Sequence, residues 1–367
     1  MLSSSLSGYL LYRLAVIVAV AGLVSLIAMF AWTSPLTACL SSNKSGSIRE
    51  HIVKNNSVVE AVVDKPVLLL WVWPENYRFN LSDCKTIYNI DGCHLTDNRS
   101  LYENSDAVLF FQKAIRLPTL PKSPRPSFQK WIWMNVESPH NTQKIPGINH
   151  LFNLTLSYRE DSDIPVRLRL ISRKIPDENF EIPKKEKLVC WIVSNKAKAT
   201  GAGIREAYFQ ELSKYVKIEV YGKAYGTFMD YKNYFPTIAS CKFYLSFENS
   251  IHKDYITEKL NGPLSVGTVP VVLGPPRKNY ERFVPGDSFI HVNDFPDAKA
   301  LAEYLTRLDQ DEEAYRKYFN WRRYFSARPH LILKNQEFVL AICTACEYVG
   351  RHREYKQIPD IYEWFFN

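Results

Sequence analysis

The chain has 367 residues, of which 46% are hydrophobic and 23% are charged, so it can hold two ordinary domains in addition to an anchor and a linker. Its net charge of +8 comes from 46 basic and 38 acidic residues that are interspersed, without the basic patch or reading motif that nucleic-acid binding requires. A modest positive field of this kind suits a small anionic substrate such as a nucleotide diphosphate.

The amino-terminal end predicts a membrane anchor. Residues 14–32 contain no charged side chain, and this length fits a helix that spans a bilayer. Arg13 precedes the apolar run with no acid before it, so the positive-inside rule leaves residues 1–13 in the cytosol and the bulk of the chain outside it. A cleaved signal peptide is the competing interpretation, because residues 36–39 resemble a cleavage site, but the apolar run is too long for one. Residues 33–64 are polar and predict a stem.

Asparagine and cysteine patterns indicate a secretory compartment. Five Asn-x-Ser/Thr sequons, which are usable only in its lumen, lie at Asn43, Asn55, Asn80, Asn98 and Asn153. Of the seven cysteines, Cys39 lies beside the anchor, and the other six form an even set that an oxidising compartment would pair. Six cysteines allow fifteen connectivities, so composition alone leaves the bridges open.

Alternating strand and helix patterns predict parallel sheets in two successive domains. The expected elements are strands at 66–73, 106–111, 130–135, 187–193 and 218–222 and amphipathic helices at 204–214, 297–308 and 312–325. A Pro-rich loop is expected at 118–126.

The stretch that follows the second domain's first strands predicts a nucleotide site. Apolar strands at 242–247 and 269–273 flank a polar turn and a short helix. Tyr255, Glu258 and Lys259 are spaced i, i+3 and i+4, which predicts that they share one helix face. An aromatic ring, a carboxylate and a cation in a crevice at the strand ends could stack on a base, bind ribose and bind phosphate. No Gly-x-Gly-x-x-Gly or Gly-Lys-Ser/Thr loop accompanies them, so dinucleotide and P-loop sites lack their motif.

Six motifs carry a resemblance to a known family. They are Gly-Cys-His-Leu-Thr at 92–96, Trp-Met-Asn-Val-Glu-Ser-Pro at 133–139, Tyr-Arg-Glu-Asp-Ser-Asp at 158–163, Phe-Glu-Asn-Ser at 247–250, Asp-Tyr-Ile-Thr-Glu-Lys at 254–259 and Gly-Thr-Val-Pro-Val-Val-Leu-Gly-Pro at 267–275. With these motifs in this order, the chain from residue 66 onward resembles the α1,3-fucosyltransferases that build Lewis-type antigens. The similarity is greatest to the vertebrate branch that makes Lewis X.

The resemblance implies an α/β fold of the GT-B type, with two Rossmann-like domains facing a cleft after the amino-terminal transmembrane helix. The acceptor-side domain would span 65–178, the GDP-fucose domain 179–340, and a tail at 341–367 would return to the first domain. The implied reaction moves L-fucose with inversion from GDP-β-L-fucose to the 3-hydroxyl of N-acetylglucosamine in N-acetyllactosamine-type glycans. The product would be of the Lewis X type, on glycoproteins or glycolipids. The implied location is the Golgi membrane, in a single-pass type II orientation with a lumenal catalytic portion; a homodimer is left open.

Inverting transfer needs a carboxylate to accept the proton of the attacking hydroxyl. Glu137 occupies the family's base position, at the end of a predicted strand where a side chain emerges into a cleft. The resemblance assigns phosphate binding to Arg205 and Lys259, and nucleoside binding to Tyr255 and Glu258. The other donor-binding positions that it implies are Ser194, Asn195, Tyr244, Glu248, Asn249 and Ser250.

No cofactor or metal is expected to be essential, because fixed cations can stabilise the departing GDP. Asp161 and Asp163 imitate the metal clip of another glycosyltransferase class, but the resemblance assigns them to the scaffold near the donor. Cys343 and Cys346 are spaced like zinc ligands, yet no second pair with ligand spacing accompanies them. The resemblance implies the disulfide pairs Cys84–Cys343, Cys93–Cys346 and Cys190–Cys241.

Three departures from the family pattern support a second hypothesis. Gly262 and Pro263 stand where the family continues a helix, so the helix with the expected phosphate contacts should kink or stop early. The segments at 110–114 and 166–169 also differ from the family on the acceptor side. The alternative is a catalytically weak relative that binds glycan or GDP-fucose, or associates with other Golgi transferases. The intact base and cations favour the enzyme.

Overall fold

The computed structural model of the protein describes residues 65–166, 170–196, 201–329 and 338–367. The predicted cytoplasmic tail, anchor and stem lie outside the described residues, as do Asn43, Asn55, Cys39 and most of the segment at 166–169. Within the four described ranges, no helix has the length and apolar character to cross a membrane. These residues belong to one compact unit that contains two parallel sheets.

The first sheet has six parallel strands in the order β2-β1-β3-β4-β5-β6. Its elements are β1 (Val67–Leu70), helix α1 (Asp83–Tyr88), β2 (His94–Thr96), β3 (Ala107–Phe111), β4 (Lys130–Asn135), β5 (Leu154–Ser157) and β6 (Ile164–Pro165). Every residue of the central strands β3 and β4 is buried, as expected for parallel strands covered on both faces. Parallel strands end at the same edge of a sheet, so residues just after β4 emerge where ligands bind in such folds.

The second sheet has five parallel strands in the order β12-β11-β10-β8-β9. The elements of this part are β7 (Ile171–Ser172), β8 (Lys187–Ile192), α2 (Ala202–Leu212), β9 (Ile218–Tyr221), α3 (Tyr231–Ala239), β10 (Cys241–Phe247), α4 (Glu258–Ser265), β11 (Val269–Leu273), α5 (Arg277–Tyr280), β12 (Ile290–His291), α6 (Ala298–Gln310), α7 (Glu312–Lys317) and β13 (Phe325–Ser326). β7 and β13 form a separate antiparallel pair. The α/β class with parallel sheets, predicted from the alternating pattern, is therefore confirmed.

Two helix predictions are wrong. The helix predicted at 312–325 ends as α7 at Lys317, and a short 3-10 helix at Asn320–Arg323 follows it. Helix α4 does not stop before Gly262 but runs through Pro263 to Ser265. Proline cannot donate to the carbonyl one turn earlier, which is that of Lys259, and the Ser246 hydroxyl on the neighbouring strand donates to this oxygen at 2.7 Å instead.

The carboxyl-terminal tail packs on the first sheet. Helix α8 (Val339–Arg351) contributes buried side chains to the core that lies against β1, β3 and β4, and α9 (Ile361–Phe366) contributes to the core on the opposite face. The Phe365 ring on α9 lies edge-on to Trp133 of β4, with centroids 4.9 Å apart. The structure contains the three disulfides that the resemblance implies: Cys84–Cys343, Cys93–Cys346 and Cys190–Cys241.

The sequon at Asn153 is not available for glycosylation in this fold. Asn153 is completely buried, its Oδ1 accepts the Trp131 N–H at 2.8 Å, and its Nδ2 donates to the Lys356 carbonyl at 2.6 Å. A glycan on this nitrogen would have no path to solvent, so the predicted site at Asn153 is wrong. Asn80 and Asn98 are exposed.

Candidate active site

A cleft of about 1590 Å³ lies between the carboxyl ends of the two sheets. Segments that follow β4 form one wall, and segments that follow β8 and β10 form the other. Six of the predicted site residues line it: Glu137, Ser194, Asn249, Tyr255, Glu258 and Lys259. The structure therefore brings the predicted base and part of the predicted donor site to one cavity, although Glu137 lies 57 residues before Ser194 and 122 residues before Lys259 in sequence.

Glu137 follows β4 and is held by contacts from both walls. Its N–H donates to Asn135 Oδ1 at 3.2 Å, and its carboxylate Oε1 accepts the Ser138 N–H at 3.0 Å. The same oxygen accepts the Tyr255 hydroxyl at 2.6 Å. Among the described residues, none donates a hydrogen bond to Oε2. One oxygen of the carboxylate is thus fixed, and the other is left for a ligand in the cleft.

Tyr255 does not lie on a helix. Helix α4 begins at Glu258, Thr257 before it is extended, and Asp254 has a φ of 62°. The prediction that Tyr255 shares a helix face with Glu258 and Lys259 is therefore wrong. The i, i+3, i+4 spacing suggested a helix, but the left-handed Asp254 and the extended Thr257 turn the chain sharply. Tyr255 is only 3% exposed and points towards the first sheet.

Lys259 and Glu248 form a buried ion pair at the bottom of the cleft. Lys259 Nζ lies 3.1 Å from Glu248 Oε2 and 3.1 Å from Glu258 Oε1, and it donates to Thr257 Oγ1 at 2.7 Å. Burial raises the pKa of the Glu248 carboxyl. Burial alone would lower the pKa of Lys259, but the charges of Glu248 and Glu258 outweigh it and raise that pKa above its usual value. Lys259 therefore remains a fixed cation.

Arg205 lies behind the cleft wall, on the first turn of α2. Its Nη2 donates to the Asn195 carbonyl at 2.6 Å, and its Nη1 donates to the Phe247 carbonyl at 3.1 Å. Burial lowers the pKa of the guanidinium, and its Nε is buried without a hydrogen-bond partner among the described residues. Arg205 therefore joins the segments after β8 and β10, with its Nε–H unused.

The start of α2 lies directly against the loop after β10. A Cβ at Gly201 would overlap the Asn249 carbonyl oxygen and Ser250 Oγ, so only glycine permits this approach. Ser250 is buried, and the hydroxyls of Ser138 and Ser250 are hydrogen-bonded across the two walls at 2.8 Å. The Asn249 Oδ1 is buried without a partner among the described residues. The loop therefore links the helix, the second sheet and the residue next to Glu137.

Five predicted donor residues do not line the cleft: Asn195, Arg205, Tyr244, Glu248 and Ser250. Tyr244 belongs to the core beside the Cys190–Cys241 disulfide, and burial raises its pKa to about 12. This position contradicts a direct contact between Tyr244 and the donor. The other four support the wall from behind through the hydrogen bonds and ion pair described above.

Several cleft residues were missed by the sequence reasoning. They are Gln112, Lys113, Arg116, Lys144, Lys223 and Phe228. Phe228 is 79% exposed although it is aromatic. Gln112 and Lys113 lie in the segment at 110–114 that departs from the family pattern, and this departure was the only signal for any of the six residues. Loop residues of this kind have no periodicity that sequence analysis can detect.

Asp161 and Asp163 serve the scaffold. The Arg159 guanidinium donates to both Asp161 oxygens at 2.9 Å, and these hydrogen bonds lower the pKa of that carboxyl. Asp163 Oδ2 accepts the Thr155 N–H at 2.8 Å and the Thr155 hydroxyl at 2.9 Å. No group of three or more His, Cys, Asp or Glu side chains within the described ranges could hold a metal ion.

Comparison with known families gives two matches that together cover most of the chain. Residues 63–169 match the family described as fucosyltransferase, N-terminal. Residues 182–364 match the family described as glycosyltransferase family 10 (fucosyltransferase), C-terminal.

Individual proteins are also similar. The chain is 49% identical over 306 residues to the 4-galactosyl-N-acetylglucosaminide 3-alpha-L-fucosyltransferase 9 of Rattus norvegicus, and the aligned region covers 83% of each chain. It is 45% identical over 346 residues to the protein of the same name from Bos taurus, which covers 94% of each. It is 41% identical over 312 residues to the 3-galactosyl-N-acetylglucosaminide 4-alpha-L-fucosyltransferase FUT3 of Pan troglodytes, with 82% of this chain and 80% of that one covered.

One solved structure has a similar fold. A crystal structure of an alpha1,3-fucosyltransferase with GDP-fucose superposes with a TM-score of 0.50 at 17% sequence identity. The match covers 83% of this chain and 96% of that one.

Proposed function

This chain belongs to glycosyltransferase family 10, the fucosyltransferases, and we propose that it moves L-fucose from GDP-fucose to the 3-hydroxyl of N-acetylglucosamine. The acceptors are glycans with galactose linked to N-acetylglucosamine, as in the names of the relatives. The enzyme is an α1,3-fucosyltransferase, and its product on N-acetyllactosamine is of the Lewis X type. The carriers are glycoproteins or glycolipids.

Glu137 is the general base in this proposal. As the acceptor oxygen bonds to the anomeric carbon of fucose, the bond from that carbon to the GDP phosphate breaks, and the hydroxyl proton passes to Glu137. Attack on the face opposite the departing GDP inverts the anomeric configuration, as in the inverting glycosidases. This proposal rests on the observation that Glu137, with one carboxylate oxygen fixed, lines the same cleft as Glu258 and Lys259.

The chain's own cations stabilise the charge on the departing GDP. Lys259 is a permanent cation at the base of the cleft, and its exposed neighbour Glu258 is the partner most easily exchanged for phosphate. Arg205 adds its positive charge from behind the cleft wall, where it is bonded to the Phe247 and Asn195 carbonyls, and the amino-terminal turn of α2 adds its dipole. Fixed cations and backbone donors supply this stabilisation without a requirement for a metal ion.

The test is transfer by the full-length chain in detergent, with GDP-fucose and N-acetyllactosamine, compared with Glu137→Gln. Glutamine keeps the Oε1 acceptor for Tyr255 but cannot take a proton, so kcat should fall by about 10²–10⁴-fold. Glu75→Gln is the matched control, because Glu75 is another carboxylate that lines the cleft but pairs with Lys113. It should keep kcat within a few-fold.

Two results would contradict the proposal. Equal turnover by the parent and Glu137→Gln would reject the base assignment. A parent that binds GDP but transfers no fucose would support the alternative of a weak relative that binds glycan or donor or associates with other transferases. One of the three departures behind that alternative was the expected break in the helix at Pro263, whereas α4 continues to Ser265.

The location is proposed as the Golgi membrane, in a single-pass type II orientation through residues 14–32 with the catalytic part in the lumen. Three disulfides and the exposed sequons at Asn80 and Asn98 support an oxidising, glycosylating compartment. Sensitivity of the cell-expressed chain to peptide-N-glycosidase is the measurement that checks the lumenal orientation. Whether the anchor also joins two chains in a homodimer is tested by cross-linking in detergent with and without residues 1–32.

A further inference from the structure

Glu137, the proposed general base, accepts a hydrogen bond from a residue that belongs to the part of the chain with the second sheet. Glu137 follows β4 of the first sheet, and the shorter of its two Oε1 hydrogen bonds, at 2.6 Å, comes from Tyr255, which follows β10 of the second sheet. We propose that Tyr255 is a positioning residue for Glu137: its hydroxyl fixes Oε1 and thereby directs Oε2 to the acceptor hydroxyl. This inference rests on the proposed function and gives Tyr255 a role other than the nucleoside contact expected from the sequence.

Tyr255 is rigidly placed for such a role. Its ring lies edge-on to Tyr158, with centroids 4.9 Å apart and planes at 74°. The preceding residue, Asp254, donates its N–H to Asn279 Oδ1 at 2.6 Å and accepts the Asn279 side-chain amide at 2.7 Å. Asp254 Oδ2 also accepts the Glu160 N–H at 3.0 Å, which ties this turn to the first sheet. The hydroxyl therefore has little freedom to leave the carboxylate.

The alternative role, stacking on a nucleobase, requires an open ring face. Tyr255 is 3% exposed, and the Tyr158 edge occupies part of its surface. Burial and the charge of Glu137 raise the pKa of the Tyr255 hydroxyl well above its usual value, so it remains protonated and can donate. The buried position thus favours a fixed donor over a ligand platform.

A second contact holds the backbone beside the base. The Ser138 and Ser250 hydroxyls are hydrogen-bonded at 2.8 Å, and Asn141 Nδ2 lies 3.4 Å from the same Ser250 oxygen. Ser138 follows Glu137 directly, and its N–H also donates to Oε1. The carboxylate and its backbone are consequently both oriented by the second sheet's loops. The position of Glu137 in this structure therefore depends on contacts from both walls of the cleft.

The experiment is Tyr255→Phe in the full-length chain, which keeps the buried ring and removes only the hydroxyl. We expect kcat to fall by roughly 10–100-fold, because small misplacements of a reacting group cost about that factor. The KM for GDP-fucose and the calorimetric Kd for GDP should change by less than about two-fold if the ring does not bind the nucleotide.

The matched control is Tyr315→Phe. Tyr315 is equally buried, and its hydroxyl donates to the Lys242 carbonyl at 3.0 Å in the core of the second sheet. Tyr315→Phe should lose a buried hydrogen bond without a change in kcat. A weaker Kd for GDP in Tyr255→Phe, with kcat unchanged, would overturn the proposal in favour of a nucleotide contact. An inactive parent, in contrast, would reject the proposed function itself.

Discussion

At the scale of single residues, the donor positions divide into those that meet the cleft and those that hold its wall. Glu248 and Lys259 illustrate the division, because they are adjacent in space but only Lys259 lines the cavity. Glu248 is 2% exposed and also accepts the Thr257 N–H at 2.8 Å, which fixes the start of α4. The buried Glu248 thus orients the Lys259 cation that lines the cleft.

The three described sequons should differ in occupancy. After expression in cells with a secretory pathway, Asn80→Gln and Asn98→Gln should each remove one glycan step on a gel, because both asparagines are exposed. Asn153→Gln should leave mobility unchanged, since its amide is fully buried. Mobility is compared before and after peptide-N-glycosidase.

If the Asn153→Gln variant carried one glycan fewer on the gel than the parent, the buried position of Asn153 would be contradicted. A chain that the glycosidase does not shift at all would contradict the lumenal orientation. Double substitution of Asn80 and Asn98 serves as the control that accounts for both steps together.

At the scale of elements, α4 shows how tertiary contacts override local propensity. Proline inside a helix removes a donor and costs about 3 kcal/mol in an isolated helix. In this protein the Ser246 hydroxyl, on the adjacent strand β10, donates to the carbonyl that Pro263 leaves without its usual partner. The helix therefore continues to Ser265, and Leu260 and Leu264 remain in their core.

A double-mutant cycle tests this compensation. Ser246→Ala should lower the free energy of unfolding by about 1–2 kcal/mol in the parent, because it removes the side-chain donor to the Lys259 carbonyl. In a Pro263→Ala background the restored backbone N–H can donate to that oxygen, so the same change should cost about 1 kcal/mol less. Urea unfolding of the four chains gives the coupling energy.

Ser288→Ala is the control for this cycle. Ser288 is equally buried, and its hydroxyl donates to the Pro285 carbonyl at 2.6 Å, with no link to α4. Its cost should be the same in both backgrounds. Identical costs for Ser246→Ala in the two backgrounds would show that the hydroxyl does not replace the lost backbone donor.

At the scale of the whole molecule, the carboxyl-terminal tail covers the first sheet and does not extend the second. Helices α8 and α9 fill the two faces of the first sheet, and two disulfides fasten α8 at Cys343 and Cys346. The core around the first sheet thus combines residues from both ends of the described chain. Its β4, which precedes Glu137, depends on tail residues such as Phe365 for its packing.

The loss of free energy of unfolding on removal of one tail disulfide should depend on whether the other is still present. They close almost the same loop, with sequence separations of 259 and 253 residues. Replacing one pair by alanine should cost about 3 kcal/mol, because the other bridge still closes the long loop, and removing the second should cost about 5 kcal/mol more. Guanidinium unfolding of both single-pair variants and the double variant provides the comparison.

The Cys190–Cys241 pair is the control, because it lies in the second sheet and closes a much shorter loop, with a sequence separation of 51 residues, inside the loop of the tail bridges. Its removal should cost the same with or without the tail bridges. Equal costs for the first and second tail deletions would indicate that the bridges act locally and not by restricting the unfolded chain.

The amino-acid sequence by itself determined the strands, the alternation of strands with helices and the α/β class, because buried parallel strands need continuous apolar runs that are visible locally. It also supplied the motifs that place Glu137 and Lys259 in a fucosyltransferase. Only the tertiary structure decided that Tyr255 faces Glu137, that Asn153 is inaccessible and that α4 survives Pro263. These outcomes depend on partners distant in the chain, and spacing along one segment carries no information about a donor or a wall that another segment supplies.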